Sequence, residues 1–154
     1  MTILIFSLCL GITCGLRAMT PPAAVAWAAH IGWLDLSDTW LAFVGSMWTL
    51  ALLTLLAMTE LVTDQLPSTP SRKVPQQFGA RLFTGGFVGA ALALPHVPWI
   101  VGAAVGAIGA VIGTYGGAAL RAKLASAFGK DLPAALLEDA VAVCTAGLIV
   151  AALP

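Results

Sequence analysis

The chain has 154 residues, of which 60% are hydrophobic and only 9% are charged, and its mean hydropathy is +0.98. A water-soluble domain of this size needs more charge to cover its surface. The composition is therefore typical of a single integral membrane domain covering residues 1–154. The formal net charge is zero, which argues against nucleic acid as a partner and leaves the lipid bilayer as the expected surroundings.

Apolar stretches predict an all-α membrane bundle of about five transmembrane helices. The first stretch, residues 2–29, is broken at Arg17 and at Thr20-Pro21-Pro22. The others are residues 40–63, 82–94, 99–120 and 134–153. The third is shorter than the roughly 20 residues that a crossing needs, so it requires a locally thin bilayer or shielding by its neighbours. Two prolines in residues 95–98 end it, because proline cannot continue a helix.

Basic residues predict the orientation of the bundle. The connections at residues 64–81 and 121–132 hold three Lys or Arg each, whereas residues 31–38 and 95–98 hold none. The positive-inside rule places the first two connections in the cytoplasm. Five alternating crossings then put the N-terminus in the cytoplasm, with the protein in a bacterial inner membrane. Trp33, Trp40 and Trp99 fall at the predicted outer interface, as an aromatic belt does.

A stripe of glycines follows one face of the fourth predicted helix. Its members recur every three or four residues: Gly102, Gly106, Gly109, Gly113 and Gly117. Small residues let a second helix approach closely, which is a main route to helix association in lipid. The partner is either a helix of the same chain, with Gly85 and Gly89 as the candidate surface, or a second copy in a homo-oligomer. We favour packing within the chain.

Segments 11–17 and 113–121 share a faint pattern. The first reads Gly-x-x-x-Gly-Leu-Arg, and the second reads Gly-x-x-x-Gly-x-x-Leu-Arg. In a five-helix topology the two segments cross in opposite directions. They therefore predict a weak inverted repeat, an arrangement that is common in transporters.

Arg17 is the first candidate site residue, because a charge within an apolar stretch usually faces a cavity or a partner. Thr20 is expected to cap a helix that has Pro21 at its first position. The positive end of that helix and Arg17 could together hold an anion. The alternative, which we favour, is that Arg17 snorkels to the outer interface and bonds headgroups or loop carbonyls.

A second candidate site is a group of charges at the predicted inner side. It comprises Glu60, Asp64, Arg81, Arg121, Glu138 and Asp139. Glu60 and Asp64 are four residues apart and share a helix face, while the last two carboxylates lie near the start of the fifth helix, where its dipole favours them. The carboxylates could form a proton or cation site. The alternative is structural salt bridging with nearby Lys and Arg residues, which we favour.

Depth separates the two candidate sites. Arg17 lies about 22 Å along the first helix, toward the outer side, whereas Glu60 lies about 30 Å along the second helix, at the inner edge. We therefore predict that Arg17 is too far from Glu60 to pair with it directly. Glu60 and Asp64 are instead expected to meet Arg81, Arg121 or the start of the fifth helix.

Sequence motifs of catalysis and of nucleotide binding are not found. His30 and His96 fall in separate predicted loops without the spacing of metal ligands, and the three cysteines lie in apolar runs without a CxxC pair. The sequence therefore predicts no enzyme, no catalytic residues, no metal and no cofactor.

Three segments form a more specific pattern. They are Gly-x-x-x-Gly-Leu-Arg-Ala at residues 11–18, Glu-Leu-Val-Thr-Asp-Gln-Leu-Pro at residues 60–67, and Arg81 followed by Gly85, Gly86 and Gly89. Together they resemble an uncharacterised bacterial membrane protein family, catalogued as domain of unknown function 4126, most clearly between residues 11 and 89. The resemblance implies a small helical membrane protein and no particular activity. Gln65 and Leu66 depart from the pattern, because family members are often more basic at that turn.

The broken first helix, Arg17 and the predicted repeat favour a transporter or channel for a small solute or ion. The alternative is a non-transporting structural or assembly subunit of a membrane complex, whose charges only tie helices together. A membrane enzyme that acts on lipid ranks third.

Overall fold

The computed structural model describes residues 1–65 and 71–153. In this part of the chain there are six α-helices, one short 3₁₀ helix at Ala42–Gly45, and no strand. The α-helices are α1 (Thr2–Leu16), α2 (Thr20–His30), α3 (Met47–Thr63), α4 (Pro75–Ala93), α5 (Trp99–Phe128) and α6 (Asp131–Ala151). Leu66 and Pro67, the end of the motif that begins at Glu60, lie outside the described residues.

The predicted interruption of the first stretch is present, but its two halves form a hairpin. α1 ends at Leu16, and two prolines occupy the first turn of α2, where a missing N–H costs no helical hydrogen bond. α2 then runs antiparallel to α3, and Trp27 Nε1 donates a hydrogen bond to Thr54 Oγ1 at 3.1 Å. α1 runs antiparallel to α4, with Ser7 Oγ 3.5 Å from the Gly89 carbonyl oxygen.

This hairpin changes the predicted topology. Met1 and His30 both lie at the end of the bundle that holds the α4–α5 turn, where the rings of Trp40 and Trp99 meet edge to face at 5.8 Å. The basic segment before α4 lies at the opposite end. The N-terminus and the basic connections, predicted on one side, therefore lie at opposite ends of the bundle, because the first stretch forms a hairpin.

Several helix bounds also differ from the predicted stretches. α3 begins only after Ser46, whose hydroxyl oxygen accepts a hydrogen bond from a first-turn amide at 3.2 Å. α4 begins at Pro75 rather than at residue 82. α5 continues to Phe128, since the residues beyond 120 are good helix formers, and it ends at Gly129 with φ of 67°. The predicted connection at residues 121–132 shrinks to Gly129 and Lys130.

Glycines join α1, α4 and α5 in close contact. A Cβ atom at Gly106 would collide with the carbonyl oxygen of Gly85 in α4, and one at Gly113 would collide with the carbonyl oxygen of Ile12 in α1. The rest of the stripe faces the same two helices, with Gly102 against α4 and Gly109 and Gly117 against α1. The stripe therefore packs within the chain, and a second copy would have to use another face.

α1 and α5 lie side by side and run in the same direction. Gly11 of α1 meets Gly106 of α5, and four residues further along Gly15 meets Thr114. An inverted repeat requires the two segments to cross in opposite directions. The predicted inverted repeat is therefore wrong for segments 11–17 and 113–121.

α3 is loosely attached to the rest of the bundle. Leu50 and Ala57 are its buried residues, and it packs mainly on α2 and the 3₁₀ helix. An apolar groove of about 840 Å³ separates it from α4 and α5. The groove lining includes Met19, Leu52, Leu56, Phe83 and Phe87.

Two helices of the described chain, α5 and α6, are long and apolar enough to cross a membrane, and α1 and α3 are shorter apolar helices. Most of the residues in the apolar windows of α5 and α6 are not buried by the rest of the protein. Both helices therefore differ from the core helix of a soluble protein, which would be mostly covered.

Candidate functional site: an arginine–carboxylate cluster at the α1–α2 turn

A cluster of buried charges surrounds the turn between α1 and α2. Arg17 is fully buried at this turn, where it forms ion pairs with Asp64 at the end of α3 and Asp139 in α6. Asp139 also accepts a hydrogen bond from Gln65 Nε2 at 3.2 Å. Arg17 therefore joins three separate parts of the fold, and the expectation that it snorkels to the outer interface is wrong.

Glu60 lies at the same level as Arg17. Its Oε1 accepts a hydrogen bond from the Ala18 amide at 2.7 Å, and its Oε2 accepts one from the Met19 amide at 2.8 Å. The predicted difference in depth between Arg17 and Glu60 is therefore wrong, although Arg17 pairs with Asp64 and Asp139 and not with Glu60 among the described residues. The prediction assumed that the first stretch crosses the bilayer completely. In the structure the chain reverses at Arg17 and meets the end of α3.

Thr20 does not cap α2. The N-cap position is Met19, and Thr20 is the first helical residue. The Thr20 hydroxyl is buried and has no hydrogen-bond partner among the described residues. The Glu60 carboxylate instead accepts hydrogen bonds from the amides of Ala18 and Met19, the two residues that precede this helix.

Arg81 of α4 closes the cluster from the side of α1. Its Nη1 donates to the carbonyl oxygens of Gly15 at 3.3 Å and Leu16 at 2.8 Å, which belong to the last turn of α1. Its Nη2 lies 3.6 Å from Asp64 and 3.9 Å from Glu60. Arg81 thus satisfies carbonyls at a helix end and meets two carboxylates, as the sequence predicted.

Arg72 pairs with Glu138 through two hydrogen bonds, of 2.5 and 2.8 Å. The sequence predicted Arg72 only as one of the nearby Lys and Arg residues that form structural salt bridges, because it lies in an apparently solvated connection. It is nevertheless buried, whereas the neighbouring Lys73 is exposed. The planar guanidinium of an arginine can bind both oxygens of a carboxylate through two parallel hydrogen bonds, whereas the ammonium of a lysine cannot. This chemical difference is the sequence signal that distinguishes Arg72 from Lys73.

Arg121 forms the outer edge of the cluster. It donates to Asp131 at 2.6 and 3.0 Å, and its Nη1 lies 3.4 Å from Glu138. Its Nη2 also donates to the backbone carbonyl of Asp64 at 3.3 Å. The Asp131 side chain is 59% exposed, so this pair is at the rim and the rest of the cluster is inside.

The cluster is balanced in charge. Its eight buried or nearly buried members are Arg17, Glu60, Asp64, Arg72, Arg81, Arg121, Glu138 and Asp139, and none of these side chains is more than 17% exposed. Four arginines thus face four carboxylates. Residues 66–70, which are not described, contain no ionisable side chain that would change this sum. The structure therefore brings together all six charges of the second candidate site and adds Arg17 and Arg72.

The family described as "Domain of unknown function (DUF4126)" matches residues 4–153 of this chain. The match covers nearly the whole sequence, so the chain belongs to that family. No curated protein and no solved structure matches this chain.

Proposed function

We propose that this member of the family is a multi-pass protein of the bacterial inner membrane that transports a small solute or ion. In this proposal α3, α4, α5 and α6 cross the bilayer, and the α1–α2 hairpin enters from one face and turns back inside it. The proposal replaces the five crossings expected from the sequence with four crossings and one re-entrant hairpin.

Exposed apolar side chains support the membrane part of the proposal. Large apolar residues on α3 and α6 face away from the bundle, with Leu55 62%, Val62 65% and Leu148 72% exposed. A soluble monomer rarely exposes so much apolar surface, because its contact with water is unfavourable. Lipid tails would cover these side chains.

The positive-inside rule gives the orientation. Lys73 and Lys130 lie at the end of the bundle that is opposite to the Trp40–Trp99 pair. We place that basic end in the cytoplasm and the tryptophan end at the outer interface. The free ends of the α1–α2 hairpin then face outward.

Transport is supported by one observation above all, the position of the charge cluster at the turn of a discontinuous helix. Where α1 ends and α2 begins, the Ala18 amide donates a hydrogen bond to Glu60, and Arg17 forms an ion pair with Asp64. Transporters commonly place ion and substrate sites at such interruptions, because the ends of half-helices present free amides and carbonyls inside the membrane. Ionisable residues at membrane depth are otherwise rare, since burying charge away from water is costly.

A structural or assembly subunit is the second candidate. It is favoured by the even balance of four arginines and four carboxylates, since paired charges can hold helices together without any ligand. In this alternative a homo-oligomer or a larger membrane complex would use the exposed apolar faces.

Reconstitution into proteoliposomes distinguishes the two candidates. The flux of protons, sodium, chloride, formate and acetate would be measured for the natural chain, for Glu60→Gln and for Asp131→Asn. A transporter is expected to carry at least one of these probes, to lose that flux in Glu60→Gln and to retain it in Asp131→Asn, because Asp131 lies at the exposed rim. The absence of flux for every probe, together with a stoichiometric partner in the purified protein, would favour the assembly subunit.

A further inference from the structure

The turn between α1 and α2 has the form of an anion-binding site that the protein fills with its own carboxylate. The two oxygens of Glu60 each accept one hydrogen bond, from the consecutive amides of Ala18 and Met19. These amides lead into α2, a helix of 11 residues whose N-terminal end carries partial positive charge. Successive backbone amides in a turn form concavities that bind small anions.

Further buried donors on or beside this turn have no hydrogen-bond partner in the part of the chain that the structure describes. The Nε atoms of Arg17 and Arg81 and the hydroxyl of Thr20 lack a hydrogen-bond partner among the described residues. Arg17 is 0%, Arg81 2% and Thr20 8% exposed. Unpaired donors at such burial are costly. Among the described residues, the turn therefore presents more donors than the neighbouring carboxylates satisfy.

We propose that this turn binds a small monoanion of carboxylate size, and that Glu60 occupies the amides until the anion arrives. The inference rests on the proposed function, because it names the class of solute that this site would carry. Glu60 differs from the other carboxylates of the cluster in its partners. Asp64, Glu138 and Asp139 each form a close ion pair with an arginine, whereas the closest ion-pair contact of Glu60 is at 3.9 Å, to Arg81.

Charge balance requires a proton to accompany the anion. Adding a monoanion to four arginines and four carboxylates leaves one uncompensated negative charge, which is expensive away from water. If Glu60 takes up one proton, the anion replaces its charge and the balance is restored. The titratable and charged groups around Glu60 are Arg81 of α4, Asp64 of α3, Cys14 of α1 and, at the turn, Arg17, which connects to Asp139 of α6.

The apolar groove beside α3 gives the Glu60 side chain space to move away from the amides. Leu56, one turn before Glu60 on the same helix, lines the apolar groove, and Met19 lines it from the other side. A protonated carboxylic acid tolerates apolar surroundings far better than a carboxylate does. The neutral Glu60 side chain can therefore turn toward the groove while the anion binds the amides.

Chemical rescue tests the proposal. Thermal unfolding of detergent-solubilised Glu60→Ala would be followed in choline formate, acetate and chloride, with choline sulfate at equal ionic strength as the size control. Asp131→Ala is the matched variant, since it also loses a carboxylate that pairs with an arginine, but at the rim. We expect formate or acetate to raise the unfolding midpoint of Glu60→Ala in a saturable way and to leave Asp131→Ala without a saturable shift.

A comparison of the natural chain with Glu60→Gln tests whether Glu60 takes up a proton when the anion binds. In the natural chain the dissociation constant for formate is expected to rise about tenfold per pH unit between pH 6 and pH 8, the value for one proton per anion. In Glu60→Gln, whose amide resembles the neutral acid, the affinity is expected to be independent of pH. This variant also keeps the test valid if Glu60→Ala does not fold.

The remaining outcomes separate this inference from the proposed function. The absence of a saturable shift by formate, acetate or chloride in both Glu60 variants, or an equal shift in Asp131→Ala, would overturn the anion site. Flux of a cation in vesicles without anion binding would also overturn it and leave transport standing. Saturable anion binding without flux of any probe would overturn transport and leave the site.

Discussion

Arg72 and Glu138 are joined by two parallel hydrogen bonds, and each side chain is only 8% exposed. This pair connects the segment before α4 to the third turn of α6. Removing Glu138 leaves Arg72 without its carboxylate, and removing Arg72 leaves Glu138 with only the contact to Arg121 at 3.4 Å. In both cases a charge remains in surroundings that solvate it poorly. Replacing both charges by apolar side chains removes that penalty.

The first prediction follows from this asymmetry. Arg72→Met or Glu138→Leu alone should lower the free energy of unfolding by about 3–5 kcal/mol, whereas the double variant should lose much less. The measurement is the unfolding transition in detergent, combined as a double-mutant cycle. Two single variants that unfold like the natural chain would show that this pair contributes little to stability.

The second prediction concerns the glycine stripe. Gly113→Leu should disrupt the packing of α1 on α5, because its side chain would collide with the Ile12 backbone. Gly116→Leu is the matched control, since a Cβ there meets nothing within 4 Å. We expect Gly113→Leu to lower the unfolding midpoint strongly and Gly116→Leu to change it little. The same loss in both variants would contradict close packing at Gly113.

The third prediction is the orientation of the bundle. In a background with all cysteines replaced by serine, a cysteine at Ser37 should be labelled by an impermeant thiol reagent in intact cells, and one at Lys130 should be protected. These positions lie at opposite ends of the bundle, and the basic end is expected inside. Labelling of Lys130→Cys alone from outside would invert the orientation, and labelling of both from outside would contradict the crossing of the bilayer between them.

Local signals in the sequence were sufficient for part of the fold. Pro21 and Pro22 marked the start of α2, the prolines at residues 95–98 marked the end of α4, and the glycine period marked the packing face of α5. Each of these signals acts within a few residues through backbone geometry. Such features can be read from neighbouring residues without knowing the rest of the fold.

The reversal at Arg17 could not be read in this way. A helix start at Thr20 indicates where α2 begins but not the direction in which it runs. That direction belongs to the tertiary packing, in which the distant Glu60 carboxylate accepts hydrogen bonds from the Ala18 and Met19 amides. The six charges of the second candidate site were expected to lie together, but the addition of Arg17 and Arg72 to that group required the tertiary structure.

The last prediction tests whether the geometry of Arg17 matters beyond its charge. Arg17 uses separate guanidinium nitrogens for Asp64 and Asp139, and thereby connects the end of α3 to α6. Lysine keeps the charge but offers one compact ammonium in place of a planar fork, so it cannot reach both carboxylates in the same arrangement. We expect Arg17→Lys to fold with reduced stability and, under the proposed function, to carry much less flux than the natural chain. Arg17→Met should be destabilised further, because Asp139 loses its arginine and Asp64 keeps only the contact with Arg81 at 3.6 Å. Lys130→Met is the control for loss of a basic residue at the exposed end of the bundle. If Arg17→Lys transports and unfolds like the natural chain, a positive charge at the turn is sufficient, and the connection between α3 and α6 has no role in transport.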